Sequence, residues 1–255
     1  MIEPDLEGLW PIRQKTGAYG PAARSYSHSN PGFDIAHHMT AIAETDLTRG
    51  TQPRLERENA PDNVVIFSNA SWWQFETLLA VRGDAPVPRM AYLDGQVELM
   101  SPSYIHEVMK KTLARLIETY ADVRGLRVEG RGSETLRLPY EEHGAEPDEC
   151  YDIGQRETFP RLVIEVIKSS PGLNKFRLYA GFGIEEFWRW VDGDFRIYRL
   201  EETAAADKTR AYVSVDASQL LPGMTQSLIT ELLALGSQTD AVQGLRRALA
   251  DNPPG

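Results

Sequence analysis

Cysteine and long apolar runs are nearly absent from this chain of 255 residues, which has one cysteine, Cys150. A single cysteine excludes an intramolecular disulfide and any zinc site built from cysteines. No stretch approaches the ~20 consecutive apolar residues that a membrane-spanning helix needs. The first ten residues contain acids and lack the basic and apolar segments of a secretory signal. These absences predict a cytoplasmic protein without a membrane partner.

Basic residues are also scarce, because 27 Lys and Arg stand against 37 Asp and Glu, for a formal net charge of −10. A general nucleic-acid coat needs the opposite balance to neutralise phosphates. An enzyme that contacts nucleic acid through a local basic patch is still compatible with this charge. The sequence also lacks the glycine patterns of P-loop and dinucleotide-binding proteins. Apolar residues make up 42% of the chain, which excludes wholesale disorder.

Composition divides the chain into three parts. Residues 1–60 are rich in Gly, Pro and Ser without periodicity, which predicts a partly disordered N-terminal extension. Regular hydrophobic patterns fill residues 61–235 and predict one folded domain. Residues 236–255 predict a C-terminal helix and tail.

The central part alternates between helical and strand patterns. Ser71 is placed to cap a helix that begins at Trp72, and Asp94-Gly95 predicts a hairpin within residues 90–100. Further predicted elements are helices at 104–123 and 174–182, strands at 126–129, 134–138 and 162–167, and a hairpin at 186–200. This order predicts an α/β (α+β) domain with a central mixed β-sheet flanked by helices.

Charge is unevenly distributed along this domain. Residues 141–160 have a net charge of −6, while residues 101–140 and 161–200 each have a net charge of +2. Such a pattern is typical of carboxylates that bind a cation beside basic groups that hold an anionic substrate. An acidic surface loop between two ordinary solvated elements explains the same pattern.

Two acids stand out in this region. Glu165 lies inside the apolar run 162–167, seventeen residues after Asp148. A carboxylate in a buried strand is costly unless it is paired, protonated or bound to metal. Mg²⁺ takes one or two carboxylates together with waters and phosphate oxygens. The pair therefore predicts a site for Mg²⁺, with Mn²⁺ as an alternative, that could activate water against a phosphodiester.

Two lysines are candidates for a role beside these acids. In a strand, Glu165 and Ile167 share one face and Lys168 lies on the other. Lys175 opens the next predicted helix and could project back towards the carboxylates, so we favour it and keep Lys168 as a substrate contact. A solubilising charge at the strand end and an exposed helix residue are the alternative interpretations.

Three segments follow one another between Tyr92 and Leu200: LDGQVELMSPSYIHE, AEPDECY and LVIEVIKSSPGLNKFRLYAGFGIEEFWRWV. Together they resemble the Uma-type restriction endonuclease family of the PD-(D/E)XK nuclease superfamily. The resemblance implies a restriction-endonuclease-like core and a Mg²⁺-dependent endonuclease that hydrolyses DNA. A nuclease-fold protein that binds nucleic acid or a protein partner with little or no cleavage is the alternative.

The resemblance also implies roles for individual residues. The Pro-Asp pair of the superfamily maps onto Pro147-Asp148, and its second acid maps onto Glu165. Its lysine position is Ile167 here, so the resemblance implies that Lys175 supplies this group from the following helix.

Four further side chains are candidates for the site. The resemblance implies that Glu98 is a third acid of the metal site and that His106 is a proton shuttle or phosphate contact. A solvent-facing strand position for Glu98 and a satisfied boundary histidine are the alternatives. Arg115 and Arg131 are candidate phosphate contacts, and each is also interpretable as surface charge. Because nucleases that cut both strands often dimerise, a homodimer is a further expectation.

Overall fold

The computed structural model describes residues 60–168, 172–202 and 210–251, all of which belong to the unit Thr51–Gly255. The N-terminal extension predicted at 1–60 lies outside the described residues apart from Ala60, and so does the predicted tail at 252–255. In the described segments, no helix is long and apolar enough to cross a membrane.

The described residues form eleven strands and five α-helices. The strands are β1 (Asn63–Ser68), β2 (Arg89–Leu93), β3 (Gln96–Ser101), β4 (Val128–Gly132), β5 (Leu136–Leu138), β6 (His143–Ala145), β7 (Glu149–Ile153), β8 (Leu162–Ile167), β9 (Glu186–Val191), β10 (Asp194–Glu202) and β11 (Arg210–Val215). The helices are α1 (Trp72–Arg82), α2 (Tyr104–Arg124), α3 (Lys175–Phe182), α4 (Gln226–Ala234) and α5 (Gln238–Asp251). A short 3-10 turn, Pro139–Glu141, connects β5 to β6.

The larger sheet has six strands in the order β11-β10-β9-β8-β7-β4. Strands β8 and β9 are parallel and are joined through helix α3, while the other neighbours are antiparallel. This sheet is therefore mixed, as the sequence predicts. Parallel neighbours need a crossover connection, and α3 supplies it.

The two faces of β8 pack against different helices. Ile164 and Val166 contribute to a core that includes residues of α2, α4 and α5. Val163 belongs to a second core with Leu178 and Tyr179 of α3. Because side chains alternate along a strand, Glu165 lies two residues after Val163 and on the same face, the one that packs against α3.

The smaller sheet is antiparallel, with five strands in the order β1-β3-β2-β6-β5. The turn Asp94-Gly95 joins β2 to β3, and both residues have positive φ (51° and 74°), as a two-residue hairpin turn requires. Helix α1 packs on this sheet through Phe75 and Leu79. The sequence did not predict this second sheet, because β1 and β6 carry no clear alternation of their own.

Local sequence explains where the helices begin and end. Ser71 and Gln74 form a reciprocal capping box at the start of α1. Ser103 caps α2 by accepting the N–H of His106, and Gly125 ends that helix in the left-handed conformation. Asn174 caps α3 in the same way as Ser103 caps α2. The predicted helices at 104–123 and 174–182 are therefore confirmed to within a residue.

One interpretation of the charge pattern predicts a surface loop at 141–160, and this prediction is wrong. The segment contains β6 and β7, and three of its acids are buried: Glu146, Asp148 and Asp152. Glu146 pairs with Arg82 through two contacts of 2.5 and 2.6 Å. The strands predicted at 126–129 and 134–138 are shifted to β4 and β5, which lie in different sheets.

Candidate active site

Lys175 lies where strand β8, strand β3 and helix α3 meet. Its Nζ is 3.0 Å from Glu98 Oε1 and 3.6 Å from Glu165 Oε1. Only 11% of the lysine side chain is exposed, and the two carboxylates are almost completely buried. The first residue of α3 therefore projects back onto the strand that precedes it.

Further donors fix the two carboxylates. The hydroxyl of Tyr179 donates a short hydrogen bond to Glu165. Tyr179 is four residues after Lys175 and lies on the same face of α3. The backbone N–H of Leu173 donates to Glu98 Oε2 at 2.7 Å. Among the described residues, each carboxylate thus has one hydrogen-bond partner in addition to the shared ammonium.

Burial and charge act in opposite directions on Lys175. Burial alone would lower the pKa of its ammonium, but the neighbouring carboxylates Glu165 and Glu98 outweigh this effect and raise the pKa from 10.5 to about 12. Burial also raises the pKa of Tyr179 well above its ordinary value, and the charge of Glu165 adds to the shift. At neutral pH Lys175 is therefore a fixed positive charge and Tyr179 a hydrogen-bond donor.

The cluster borders a small cavity of about 20 Å³, enough for one water molecule. The polar side chains in its wall are Asp62, Glu98, Glu165 and Lys175. Gly172 also lines it, with φ of 52°, and a Cβ at this position would overlap the Glu98 carboxylate. Glycine is therefore required here both by the backbone conformation and by the close approach of the acid.

Asp148 lies between β6 and β7 and is 1% exposed. Its Oδ2 accepts the N–H of Val166 at 2.7 Å, so it is held against the residue that follows Glu165 in β8. Its Oδ1 contacts His106 Nε2 at 3.0 Å and the guanidinium of Arg89. Asp148 is thus tied to the same strand as Glu165 but has different cationic partners.

His106 is completely buried and bridges two acids. Its Nδ1 is 3.1 Å from Asp62 Oδ2, on the side opposite Asp148. Burial alone would raise the pKa of Asp62, but hydrogen bonds from His106 and from the N–H groups of Ser103 and Lys168 outweigh it. The result is a pKa lowered from 3.8 to about 2, so Asp62 is ionised at neutral pH.

The structure brings most of the predicted site residues together in two linked groups. Glu98, Glu165 and Lys175 form one, and Asp148 and His106 belong to the other. The N–H of Val166, which bonds Asp148, is the link between them.

The side chains of the three predicted substrate contacts do not join these groups, although the backbone N–H of Lys168 donates to Asp62. Lys168 Nζ pairs with Asp192 at 2.9 Å, and Arg115 contacts Gln238 at 3.3 Å. The Nε of Arg131 donates to Asp152 at 2.8 Å, with only 8% of its side chain exposed. Their guanidinium and ammonium groups are engaged within the protein, so the geometry offers no support for a role in substrate binding.

Three residues of the site were missed from the sequence: Asp62, Arg89 and Tyr179. The helical spacing from Lys175 could have indicated Tyr179. Asp62 and Arg89 reach the site only through the pairing of the smaller sheet and the packing of α2, which no local pattern reports. Arg89 also pairs with Glu107 at 3.1 Å, and its Nε has no partner among the described residues.

The donor set of the site fits a hard divalent cation. Four buried acids, Asp62, Glu98, Asp148 and Glu165, face two permanent cations and one histidine: Lys175, Arg89 and His106. The described residues contain no group of three or more His, Cys, Asp and Glu arranged to hold a metal. Magnesium needs no such group, because it takes one or two carboxylates and completes its shell with water and phosphate oxygens.

The fold and the site define a mixed α+β protein with a buried carboxylate–lysine centre beside a mixed sheet. The model of the Uma2 family, described as "Putative restriction endonuclease", matches residues 72–233, and the chain belongs to this family. The family resemblance stated from the sequence is therefore confirmed.

A solved structure from Anabaena variabilis, described as a "putative nuclease belonging to DUF820", is also similar to the chain. The two are 13% identical, with a TM-score of 0.38, and the match covers 62% of this chain and 92% of that one. No curated protein matches this chain.

Proposed function

We propose that the protein is a nuclease that hydrolyses DNA phosphodiesters and depends on Mg²⁺, with Mn²⁺ as a substitute. Membership of the family described as "Putative restriction endonuclease" supports the reaction class. The observation that carries the proposal further is the position of the Lys175 ammonium between the carboxylates of Glu98 and Glu165. Asp148 lies beside this centre, because it accepts the N–H of Val166 in the same strand as Glu165. This combination of acids and lysine supports the proposal of a PD-(D/E)XK type of site.

Each residue has a role in this proposal. Asp148 and Glu165 would hold the metal, and Glu98 would be a third acid at the same centre. A bound Mg²⁺ supplies Lewis-acid stabilisation of charge on the phosphate and the departing oxygen. Lys175, a permanent cation, orients the attacking water and offsets the charge that develops on the phosphate.

One observation favours a second candidate, a protein that binds nucleic acid or a protein partner without cleaving. Oδ1 of Asp148 already has two cationic or N–H partners, Arg89 and His106. These partners compete with a metal for the same oxygen. A cleavage assay separates the two candidates directly.

The test is cleavage of supercoiled plasmid DNA by purified protein with Mg²⁺ or Mn²⁺. We expect Asp148→Asn, Glu165→Gln and Lys175→Met each to lower the single-turnover rate at least about 100-fold, because charge stabilisation at such a centre is worth several kcal/mol. Asp152→Asn is the matched control, since Asp152 is also a buried acid but pairs with Arg131 away from the site.

Parent-like cleavage by Asp148→Asn and Glu165→Gln would contradict the assignment of the site. Binding of the same DNA by a parent protein that never cleaves it would instead favour the second candidate. The products also test the homodimer that we propose for cleavage of both strands. Linear DNA formed without a nicked intermediate is the result expected of a dimer.

A further inference from the structure

We infer that Asp62 is a positioning residue for Asp148 and acts through the imidazole of His106. The inference rests on the proposed function, because it concerns the residue that we propose as a metal ligand. Neither a contact with DNA nor a contact with the reacting atoms is assigned to Asp62.

Three N–H groups from two parts of the chain converge on the two oxygens of Asp62. Oδ1 accepts the N–H of Ser103, the residue that caps α2, at 2.8 Å. Oδ2 accepts the N–H of Lys168, just after β8, at 3.0 Å and also faces His106 Nδ1 at 3.1 Å. This single carboxylate therefore connects the start of α2 to the end of β8.

The imidazole passes this constraint on to Asp148. Its Nε2 lies 3.0 Å from Asp148 Oδ1, so each ring nitrogen faces a carboxylate oxygen. The ring therefore fills the gap between the two carboxylates, with Asp62 on one side and Asp148 on the other. Because His106 is fully buried, it cannot exchange protons directly with solvent or touch a substrate. Its geometry is that of a spacer of fixed length between two acids.

Asp148 is thereby held at both oxygens. His106 and Arg89 bind Oδ1, while the N–H of Val166 binds Oδ2. Loss of the His106 contact leaves Oδ1 with the guanidinium of Arg89 alone among its side-chain partners in the described residues. Residues that orient a metal ligand in this way typically affect metal affinity or activity about 10- to 100-fold when they are replaced.

Asp62 stands outside the part of the chain that defines the family match. The match begins at residue 72, ten residues after Asp62. Asp62, which precedes the matched region, is thus the residue that orients Asp148 within that region.

Asp62→Asn tests the inference with little change in shape. An amide has one oxygen and one NH₂ group, whereas three N–H groups converge on this position. One orientation of the amide turns NH₂ towards Ser103, and the other turns it towards His106 and Lys168. The variant therefore loses at least one of the bonds in every orientation.

The first measurement is single-turnover cleavage of plasmid DNA over a range of Mg²⁺ concentrations. We expect Asp62→Asn to raise the half-saturating Mg²⁺ concentration or lower the maximal rate by about 10- to 100-fold, with unchanged affinity for DNA. Asp152→Asn is the control for a buried acid replaced by its amide. We expect it to lower the melting temperature and to leave the half-saturating Mg²⁺ concentration and the maximal rate unchanged.

A second variant separates positioning from folding. In His106→Asn the amide can replace the bond from Nδ1 to Asp62 but is too short to reach Asp148. The contacts of Asp62 with Ser103 and Lys168 are kept in this variant. We expect the same change in Mg²⁺ dependence as in Asp62→Asn, with a smaller loss of melting temperature.

The NMR signals of the His106 ring provide a readout that does not need cleavage. We expect an exchange-protected N–H signal from Nδ1, which faces Asp62, that is absent in His106→Asn and changed in Asp62→Asn. If Asp62→Asn keeps parent Mg²⁺ dependence and parent ring signals, or matches Asp152→Asn in every measurement, the inference is overturned. Failure of the proposed function is recognised separately, because the parent itself then does not cleave although its ring signals still respond to Asp62→Asn.

Discussion

Two buried glutamates on neighbouring parallel strands have opposite kinds of surroundings. Glu165 of β8 and Glu186 of β9 are 3% and 1% exposed. The carboxylate of Glu186 accepts bonds from the indole N–H of Trp188 and the hydroxyl of Ser218, and from the N–H groups of Gln219 and Leu220. Glu165 instead accepts one hydroxyl and shares an ammonium with a second acid.

This difference separates a structural acid from a functional candidate. Among the described residues, four neutral donors bond the two oxygens of Glu186 and anchor the loop after β11. At Glu165 two acids share one ammonium beside a cavity, and this arrangement supports the metal site that we propose. Burial alone does not mark a site; the nature of the donors does.

Removal of Glu186 should have the largest effect on stability. We expect Glu186→Ala to lower the free energy of unfolding by about 3–5 kcal/mol, since several buried donors lose their acceptor and each such loss costs about 1–3 kcal/mol. Urea denaturation measures this change. Glu185→Ala is the control, because its partly exposed pair with Arg161 is worth at most about 1 kcal/mol.

A parent-like unfolding curve for Glu186→Ala would show that donor saturation does not make this acid structural. The surroundings of Glu186 and Glu165 would then not distinguish a structural acid from a functional one.

Asp62 combines features of both acids, because N–H groups surround it and it also contacts His106. Its pKa is lowered from 3.8 to about 2, which corresponds to about 2 kcal/mol of stability. A lowered carboxyl pKa stabilises the folded state above pH 3.8, and this contribution is lost as the pH falls towards 2. We expect the difference in unfolding free energy between parent and Asp62→Asn to shrink over that range.

Unfolding by urea at several pH values between 2 and 7 measures this difference. Asp152→Asn again serves as the reference for a buried aspartate. A difference between parent and Asp62→Asn that stays constant with pH would contradict the role of the ionised carboxylate.

Glu98→Gln should have a smaller effect on stability than Glu186→Ala and so gives a contrast with it. Glutamine keeps an oxygen for the N–H of Leu173 and Lys175 keeps Glu165 as a partner, but the new NH₂ group faces the ammonium of Lys175. We therefore expect the free energy of unfolding to fall by about 1–3 kcal/mol, while DNA cleavage falls. A large loss of stability would place Glu98 with Glu186 as a structural acid.

Local patterns predicted the framework that carries the site. The caps Ser71 and Ser103, the turn at Asp94-Gly95 and the apolar run of β8 each depend on neighbours within a few residues. The projection of Lys175 towards Glu165 was also expected, because the start of a helix that follows a strand lies close to the end of that strand.

The remainder depends on contacts between distant parts of the chain. Arg89 meets Asp148 across 59 residues, and Asp62 meets His106 across 44. The smaller sheet brings these partners together, and its strand β6 has only three residues, two of which are His143 and Gly144. Neither residue indicates a strand, so neither the sheet nor its contribution to the site was predictable.

The position of Lys175 on a helix has a consequence for the evolution of this centre. In a strand, the pleat fixes the distance between an acid and a lysine two positions later. Here the lysine lies ten residues after the acid and on a separate element, so insertions and deletions between the strand and the helix could displace the ammonium without any substitution at the site. Pattern searches that require an acid, any residue and a lysine in sequence would also pass over this chain, because the third position is Ile167.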